Sequence, residues 1–215
     1  MRVLIAPQEF KGSLSADEAA SAIARGLRRS HLDWTLDILP MSDGGPGLLD
    51  AMRRAVRADT CAAIVRDPLG RKVLARYIRL RESGDIVIEA AQANGIWHVS
   101  NEERDPLYSD TAGVGELIAD ALTEPASRLI IGVGGSATSD GGAGMAVALG
   151  ARLTDMAGVP LQSGAAPLAN LARIDWERPP FLDGVEILVA TDVTNPLLGP
   201  NGTAAIYAPQ KGATA

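Results

Sequence analysis

Cysteine and histidine are scarce in this sequence, and their scarcity excludes several kinds of site. The single cysteine, Cys61, leaves no partner for an internal disulfide and no cysteine cluster for a metal. One cysteine is also typical of proteins of a reducing compartment. The two histidines, His31 and His98, fall in a helix-to-strand connection and in a loop. We therefore expect neither a histidine metal site nor a histidine-based catalytic triad.

Long apolar runs and basic runs are also missing. No apolar stretch approaches the ~20 residues that span a bilayer, and the N-terminal MRVLIAPQ lacks the cleavage site of a signal peptide. The net charge is −6 and the basic residues form no run, which argues against nucleic acid as a partner. These features predict a cytoplasmic globular protein that binds neither membrane nor nucleic acid.

Lysine is the scarce member of the basic residues. Only three of the 20 basic residues are lysines, Lys11, Lys72 and Lys211. Lys11 and Lys211 each precede a glycine in a loop-like context. Because a lysine ammonium is a compact point charge that suits a phosphate oxygen, both are candidate phosphate ligands.

The stretch from 129 to 150, LIIGVGGSATSDGGAGMAVALG, has the order strand, glycine-rich loop, helix. The backbone N–H groups of such a loop and the positive end of the helix dipole can receive an anion. Asp140 within the loop fits a cation that bridges it to phosphate. The stretch is neither a Walker loop nor GxGxxG, because no lysine follows its glycines and Ala137 stands where the third glycine should be. A plain tight turn remains the alternative.

The order of segments predicts an α/β fold. In the first 60 residues two strand-like segments are each followed by a loop and a helix-like segment, the first helix opening with the capping box Ser15-Ala16-Asp17-Glu18. After residue 60, short turns separate three strand-like segments, which indicates antiparallel hairpins. Farther on, we expect a hairpin at 153–161 and a helix at 165–173. This change from strand–loop–helix segments to successive strands predicts a domain boundary or insertion near residue 60.

Four loops of small residues carry polar or charged groups directly after predicted strands. They are Lys11-Gly12-Ser13, Asp43-Gly44-Gly45, Gly134 to Gly142 with Asp140, and Asp192 with Asn195. Ligands collect at the carboxyl ends of strands in open α/β sheets. Lysines, aspartates and backbone donors are the groups that phosphoryl transfer uses. Asp43 before two glycines is equally well explained as a turn or helix cap.

Four sequence blocks together resemble one family. FKGSLSA at 10–16, DGGPG at 43–47, GGSATSDGGAGMA at 134–146 and DVTNPLLGPNG with APQKGA at 192–213 are similar, in order and spacing, to motifs of the bacterial glycerate kinases of the type-1 family. The resemblance implies transfer of the γ-phosphoryl group of MgATP to D-glycerate, giving 2-phosphoglycerate or 3-phosphoglycerate. It also implies a Rossmann-like parallel-sheet domain, begun by residues 1–60, with a second inserted α/β domain over 61–215 that contains the antiparallel hairpins.

The resemblance assigns roles to the residues of these blocks. Lys11 and Lys211 would supply positive charge, and Ser136 and Thr138 would cradle phosphate. Asp192 would position the glycerate hydroxyl or the metal. The predicted catalytic residues are Asp192, Lys11 and Asp43; the predicted substrate-binding or phosphate-binding residues are Ser13, Gly134, Gly135, Ser136, Thr138, Asn195 and Lys211; the predicted metal ligands are Asp140 and Asp192.

The expected ligands are small molecules, D-glycerate as substrate with ATP and Mg²⁺. Family members continue past the APQKGA block, so the resemblance implies that the rest of the Rossmann-like domain would follow residue 215. A second hypothesis is a catalytically silent fragment that binds a small anion or serves in assembly. The oligomeric state is left open, with a homodimer as one alternative.

Overall fold

A computed structural model describes residues 1–10 and 12–214. The strands are β1 (Arg2–Ile5), β2 (Thr35–Ile38), β3 (Ala58–Arg66), β4 (Lys72–Leu80), β5 (Ile86–Glu89), β6 (Arg128–Gly132), β7 (Arg152–Thr154), β8 (Arg173–Asp175) and β9 (Glu186–Ala190). The α-helices are α1 (Ala16–Ser30), α2 (Leu48–Ala55), α3 (Ala91–Asn94), α4 (Ala112–Ala121), α5 (Ala143–Ala148) and α6 (Thr203–Tyr207).

The first two strands form a small sheet of their own. β1 and β2 pair in parallel, and α1 covers them with Ala20 and Ala24 packed near Ile5. The predicted capping box is present, because the N–H of Glu18 donates to Ser15 Oγ at 3.2 Å and the N–H of Ser15 donates to Glu18 Oε2 at 2.9 Å. A cap of this kind contributes about 1 kcal/mol to helix stability. The expected strand–loop–helix opening is therefore confirmed.

A five-stranded sheet in the order β3-β4-β5-β6-β9 holds most of the core. β3, β4 and β5 pair antiparallel, whereas β5, β6 and β9 pair in parallel. Parallel neighbours need a long crossover, and α3 and α4 lie in the one between β5 and β6. The mixed α/β class and the predicted hairpins are confirmed, and the hairpin strands belong to the same sheet as the parallel strands.

The centre of this sheet is β5, all four of whose residues are buried. Ile86 and Ile88 belong to the core cluster on one face, which includes Leu117 of α4. Val87 points to the other face and packs in a cluster with Leu49 of α2. A strand covered on both faces reads as a continuous apolar run, which explains the sequence IVI. Each such buried side chain contributes roughly 1.5–3 kcal/mol.

Of two local expectations, one differs from the structure. The hairpin expected at 153–161 is confirmed, since Thr154 bridges Pro160 in antiparallel fashion and the Leu161 N–H donates to the Leu153 carbonyl at 2.9 Å. In addition, β7 pairs with β8. The helix expected at 165–173 is wrong in extent: it is a 3₁₀ helix over Ala166–Asn170, since Arg173–Asp175 is taken up by β8. Across residues 1–10 and 12–214, no helix has the length and apolar character of a membrane span.

The domain division near residue 60 stays a prediction. β1 and β2 do form a sheet separate from the five-stranded one. However, α2, which precedes residue 60, packs on Ile78 and Val87 of the five-stranded sheet. The segment 48–55 therefore links the two sheets.

Candidate active site

Two of the four predicted loops, those that contain Gly44 and Gly134, meet at the carboxyl ends of β6 and β9. The N–H of Gly134 donates to the Gly44 carbonyl at 3.1 Å, and the N–H of Val133 donates to the Ala190 carbonyl at 3.3 Å. The backbones are so close that a Cβ on Gly134 would lie 2.6 Å from the Cα of Gly45. Glycine is required because any side chain would push the loops apart. These glycines therefore bring the two loops together beside the end of β9 as well as turning the chain.

Asp140 is a buried cap that organises the second half of the glycine-rich loop. Its Oδ2 accepts from the Thr111 N–H at 2.9 Å, the Thr111 Oγ1–H at 2.8 Å and the Gly144 N–H at 3.0 Å, and its Oδ1 accepts from the Gly142 N–H at 3.2 Å. Thr111 Oγ1 in turn accepts from the Met145 N–H at 2.9 Å. These donors at the start of α5 are thus occupied within the protein. In this structure Asp140 and Thr111 take up the N–H groups at this helix N-terminus, and the anion site expected there stays a prediction.

Lys211 lies against the first half of the same loop. Only 8% of the residue is exposed, and its Nζ donates to Ser136 Oγ at 3.0 Å and to the carbonyl of Thr138. Burial lowers the pKa of Lys211, and the negative charge of Asp140 opposes that shift. Lys211, Ser136 and Thr138, which were predicted to share a phosphate site, are therefore in direct contact. Their role in binding stays a prediction.

A cavity of about 280 Å³ opens beside these residues. Its walls include Val114 of α4, Ile131 of β6 and Val189 of β9, and its polar edge includes Asn94, Ser136 and Thr138. The cavity lies at the carboxyl end of the parallel strands, where ligands of α/β sheets bind. It is thus the candidate binding site.

The two other predicted aspartates differ in their surroundings. Asp43 Oδ1 accepts from the Gly45 N–H at 2.9 Å, so this carboxylate closes the turn of its own loop, as the alternative interpretation anticipated. Asp192 is exposed and follows the end of β9 by two residues. Among the residues described, no hydrogen bond or ion pair engages its side chain. The Asp192 carboxylate is therefore available to a ligand.

Asn195 organises the segment that follows Asp192. Its Nδ2 donates to the Asn201 carbonyl at 3.0 Å, and its Oδ1 accepts from the Tyr207 hydroxyl at 2.7 Å. Both ends of the amide are thus used inside the protein, and its predicted contact with substrate is untested.

The remaining predicted residues lie in the loop after β1 and at the start of the glycine-rich loop. Ser13 is exposed and donates its N–H to the Phe10 carbonyl at 2.8 Å. Lys11 lies outside the described residues. Gly135 has a positive φ of 74°, and its carbonyl accepts from the Ile96 N–H at 2.9 Å. Gly135 therefore takes part in holding the glycine-rich loop beside α3.

Sequence reasoning missed Glu89 and Asn94. Glu89 is 2% exposed at the end of β5, where the Leu49 N–H donates to its Oε2 at 3.4 Å and burial raises the pKa of Glu89. A carboxylate ending an apolar strand is the signal that singled out Asp192, and it could have found Glu89. The sequence gives no comparable signal for Asn94, because its side chain is placed by a contact with Thr138, which is far away in the chain.

The described residues do not form a ready-made metal site. In residues 1–10 and 12–214 there is no group of three or more His, Cys, Asp or Glu side chains that could hold a metal ion. A magnesium ion on Asp140 would have to displace backbone donors from both carboxylate oxygens. Asp192, exposed and unpaired within the described residues, fits magnesium better, since Mg²⁺ takes one or two carboxylates and completes its shell with water and phosphates.

These features define an α/β protein with a small-molecule site at the carboxyl edge of a partly parallel sheet. Comparison with known proteins supports the α/β class and identifies a family. Residues 3–215 match the glycerate kinase family. The glycerate 2-kinase of Escherichia coli is 45% identical over 215 residues, covering 100% of this chain and 56% of the relative. The glycerate kinase of Bacillus subtilis is 45% identical over 216 residues, with the same coverage of 100% and 56%.

A crystal structure described as glycerate kinase 2 from Salmonella typhimurium LT2 has a TM-score of 0.84 and 45% sequence identity, and the match covers 100% of this chain and 58% of that one. The chain belongs to the glycerate kinase family. It spans about 56% of the length of the curated relatives named above.

Proposed function

We propose that this chain transfers the γ-phosphoryl group of MgATP to D-glycerate, giving 2-phosphoglycerate or 3-phosphoglycerate. Membership of the glycerate kinase family supports the reaction class. The single observation that carries the proposal is the contact of two small-residue loops through Gly44 and Gly134, beside the end of β9. Phosphoryl transfer asks the protein mainly for positioning and charge, which such a junction can supply.

Lys211, Ser136 and Thr138 are the proposed phosphate side of the site. An ammonium has three N–H donors, and Lys211 uses two of them on Ser136 and Thr138. The third can reach a phosphate or carboxylate oxygen of a ligand. The hydroxyls of Ser136 and Thr138 accept hydrogen bonds from Lys211 and Asn94, so each can still donate its own hydrogen to an anion. Lys11 would add a second cation.

Asp192 is the proposed partner of the glycerate hydroxyl. It lies two residues beyond Ala190, whose carbonyl contacts the start of the glycine-rich loop. An ionised, exposed carboxylate can accept the proton of an alcohol as that alcohol attacks a phosphorus atom. Asp43 is the second candidate, since one of its two carboxylate oxygens is held by Gly45.

Asp192 is also the proposed contact to magnesium. When bound with the nucleotide, Mg²⁺ neutralises charge on the phosphates. Asp140, whose two oxygens are occupied by hydrogen-bond donors, is the weaker of the two predicted ligands.

The test is an ADP-release assay coupled to D-glycerate and MgATP. We expect turnover by the wild type and a loss of at least about 100-fold in kcat for Asp192→Asn, the magnitude typical of a lost general base. The matched control is Asp183→Asn, an exposed aspartate before the other end of β9, which should leave kcat unchanged. Absence of glycerate-dependent ADP release would contradict the proposal and favour a catalytically silent chain. Full activity of Asp192→Asn would remove Asp192 from the mechanism.

A further inference from the structure

The cavity beside the glycine-rich loop has a composition that restricts what it can bind. Its volume of about 280 Å³ is at the lower end for ligand pockets, which suits a small metabolite. Aliphatic walls from Val114, Ile131 and Val189 make it costly to move an anionic group away from the polar edge at Ser136 and Thr138 and into the apolar part of the cavity. A neutral polar group of a ligand is the better occupant.

Asn94 brings an incompletely paired amide to this cavity. Only 6% of the residue is exposed, and its Nδ2 donates to Thr138 Oγ1 at 3.3 Å. Within residues 1–10 and 12–214, its Oδ1 has no hydrogen-bond partner. Rotating the amide by 180° exchanges the two atoms and still leaves one of them unpaired. A buried polar atom without a partner costs free energy, so the site is completed by a group that supplies the missing hydrogen bond.

The backbone of Asn94 is held firmly, which fixes the point from which its side chain extends. Its carbonyl accepts from the Ala137 N–H at 2.8 Å, and its own N–H donates to the Ala90 carbonyl at 2.9 Å. The adjacent Gly95 pairs with Ser136 of the glycine-rich loop. The backbone of Asn94 is therefore fixed relative to Ser136 and Thr138, the proposed phosphate side, and its amide contacts Thr138.

We propose that Asn94 is a specificity-determining residue whose side-chain amide binds the substrate hydroxyl that does not receive the phosphoryl group. This inference rests on the proposed function and names the substrate group that this part of the site recognises. A hydroxyl is neutral, and it can both donate to an amide oxygen and accept from an amide nitrogen. It therefore satisfies Asn94 in either orientation, whereas the carboxylate of glycerate could serve only as an acceptor.

The test compares D-glycerate with two analogues that each lack one hydroxyl, D-lactate and 3-hydroxypropionate. Binding is measured by calorimetry and turnover by ADP release. A site built to bind a hydroxyl rejects the analogue without it strongly, so we expect the wild type to prefer D-glycerate by at least about 100-fold over one analogue. Asn94→Ala should reduce that preference to about 10-fold or less, because no buried amide is then left unpaired.

Two further variants keep the test decisive. Asn94→Leu removes the amide at larger volume and should give the same loss of preference, which covers the case in which one of the two variants does not fold. Gln92→Leu makes the same class of change on the same short helix, where Gln92 contacts Glu89, and should keep the wild-type preference. Far-UV circular dichroism checks that each variant is folded.

The outcomes separate this inference from the proposed function. Turnover of D-glycerate with an unchanged preference in both Asn94 variants overturns the inference, since the amide would then be satisfied by water, and leaves the proposed function standing. Calorimetric binding with an Asn94-dependent preference but without ADP release supports the inference and contradicts the kinase assignment. Absence of both binding and turnover overturns both.

Discussion

Replacing Asp140 tests whether this buried carboxylate is the structural cap that its contacts indicate. The carboxylate accepts four hydrogen bonds, two from Thr111 and one each from Gly142 and Gly144. Asp140→Ala removes all four and leaves the buried N–H groups of Thr111 and Gly144 without an acceptor. Each such group costs about 1–3 kcal/mol. We therefore expect Asp140→Ala to lower the free energy of unfolding by about 3–5 kcal/mol.

Asp140→Asn should lower the free energy of unfolding by less than Asp140→Ala does. If the amide oxygen takes the place of Oδ2, it keeps the bonds from Thr111 and Gly144. The amide nitrogen then faces the Gly142 N–H, donor against donor, and the charge is lost. We expect a cost of about 1–2 kcal/mol. Thr111→Val, which removes the hydroxyl between Asp140 and Met145, should cost about 1–2 kcal/mol as well.

Urea denaturation followed by circular dichroism measures these changes as shifts of the midpoint at constant slope. Asp33→Ala, at an exposed aspartate, is the control and should change stability by less than about 0.5 kcal/mol. A loss below about 1 kcal/mol for Asp140→Ala would refute the cap. So would Mg²⁺ stabilising the wild type but not Asp140→Asn, since that result would make Asp140 the metal ligand that the sequence suggested.

Two further predictions concern the supports of the site. Gly132→Ala places a Cβ 2.4 Å from the Gly44 carbonyl oxygen and should lower the free energy of unfolding by about 1–3 kcal/mol. Gly26→Ala, inside α1 with no atom within 4 Å, should instead stabilise by about 0.5–1 kcal/mol; equal effects of the two in urea denaturation would contradict the close approach. Because burial raises the pKa of Glu89, its contribution to stability is full below its unfolded-state pKa and is lost as pH rises through the folded pKa. Glu89→Gln should therefore gain stability relative to the wild type as the pH rises above the unfolded-state pKa of a glutamate, and a pH-independent difference in the urea midpoints would count against this.

Elements with a local cause were predictable from the sequence. The capping box at Ser15 and Glu18 marks the start of α1, because both partners lie within one helical turn. The short turns after residue 60 predict the antiparallel pairs, because a short connection cannot make a parallel crossover. The helix expected at 165–173 failed because β8 pairs with β7, a contact between segments about 20 residues apart that local pattern does not record.

The candidate site was predicted in part. Ser136, Thr138 and Lys211 were grouped from the sequence, and the structure brings them into contact. The roles of Asp140 and Asn195 as hydrogen-bonded organisers were not predicted, since their partners Thr111 and Tyr207 belong to other parts of the fold. Hydrogen-bond partners decide whether a carboxylate or amide is available to a ligand, and a sequence does not show them.

The sequence by itself therefore determined the class of fold, the family motifs and the loops that are predicted to carry the chemistry, because glycine, apolar periodicity and caps act over a few residues. Only the tertiary structure decided which polar groups are already satisfied. It occupied Asp140 with Thr111 and two glycine N–H groups, left the Asp192 carboxylate without a described partner, and brought Asn94 to the cavity with one amide atom unpaired. The physical reason is that hydrogen-bond saturation and burial depend on neighbours far apart in the chain.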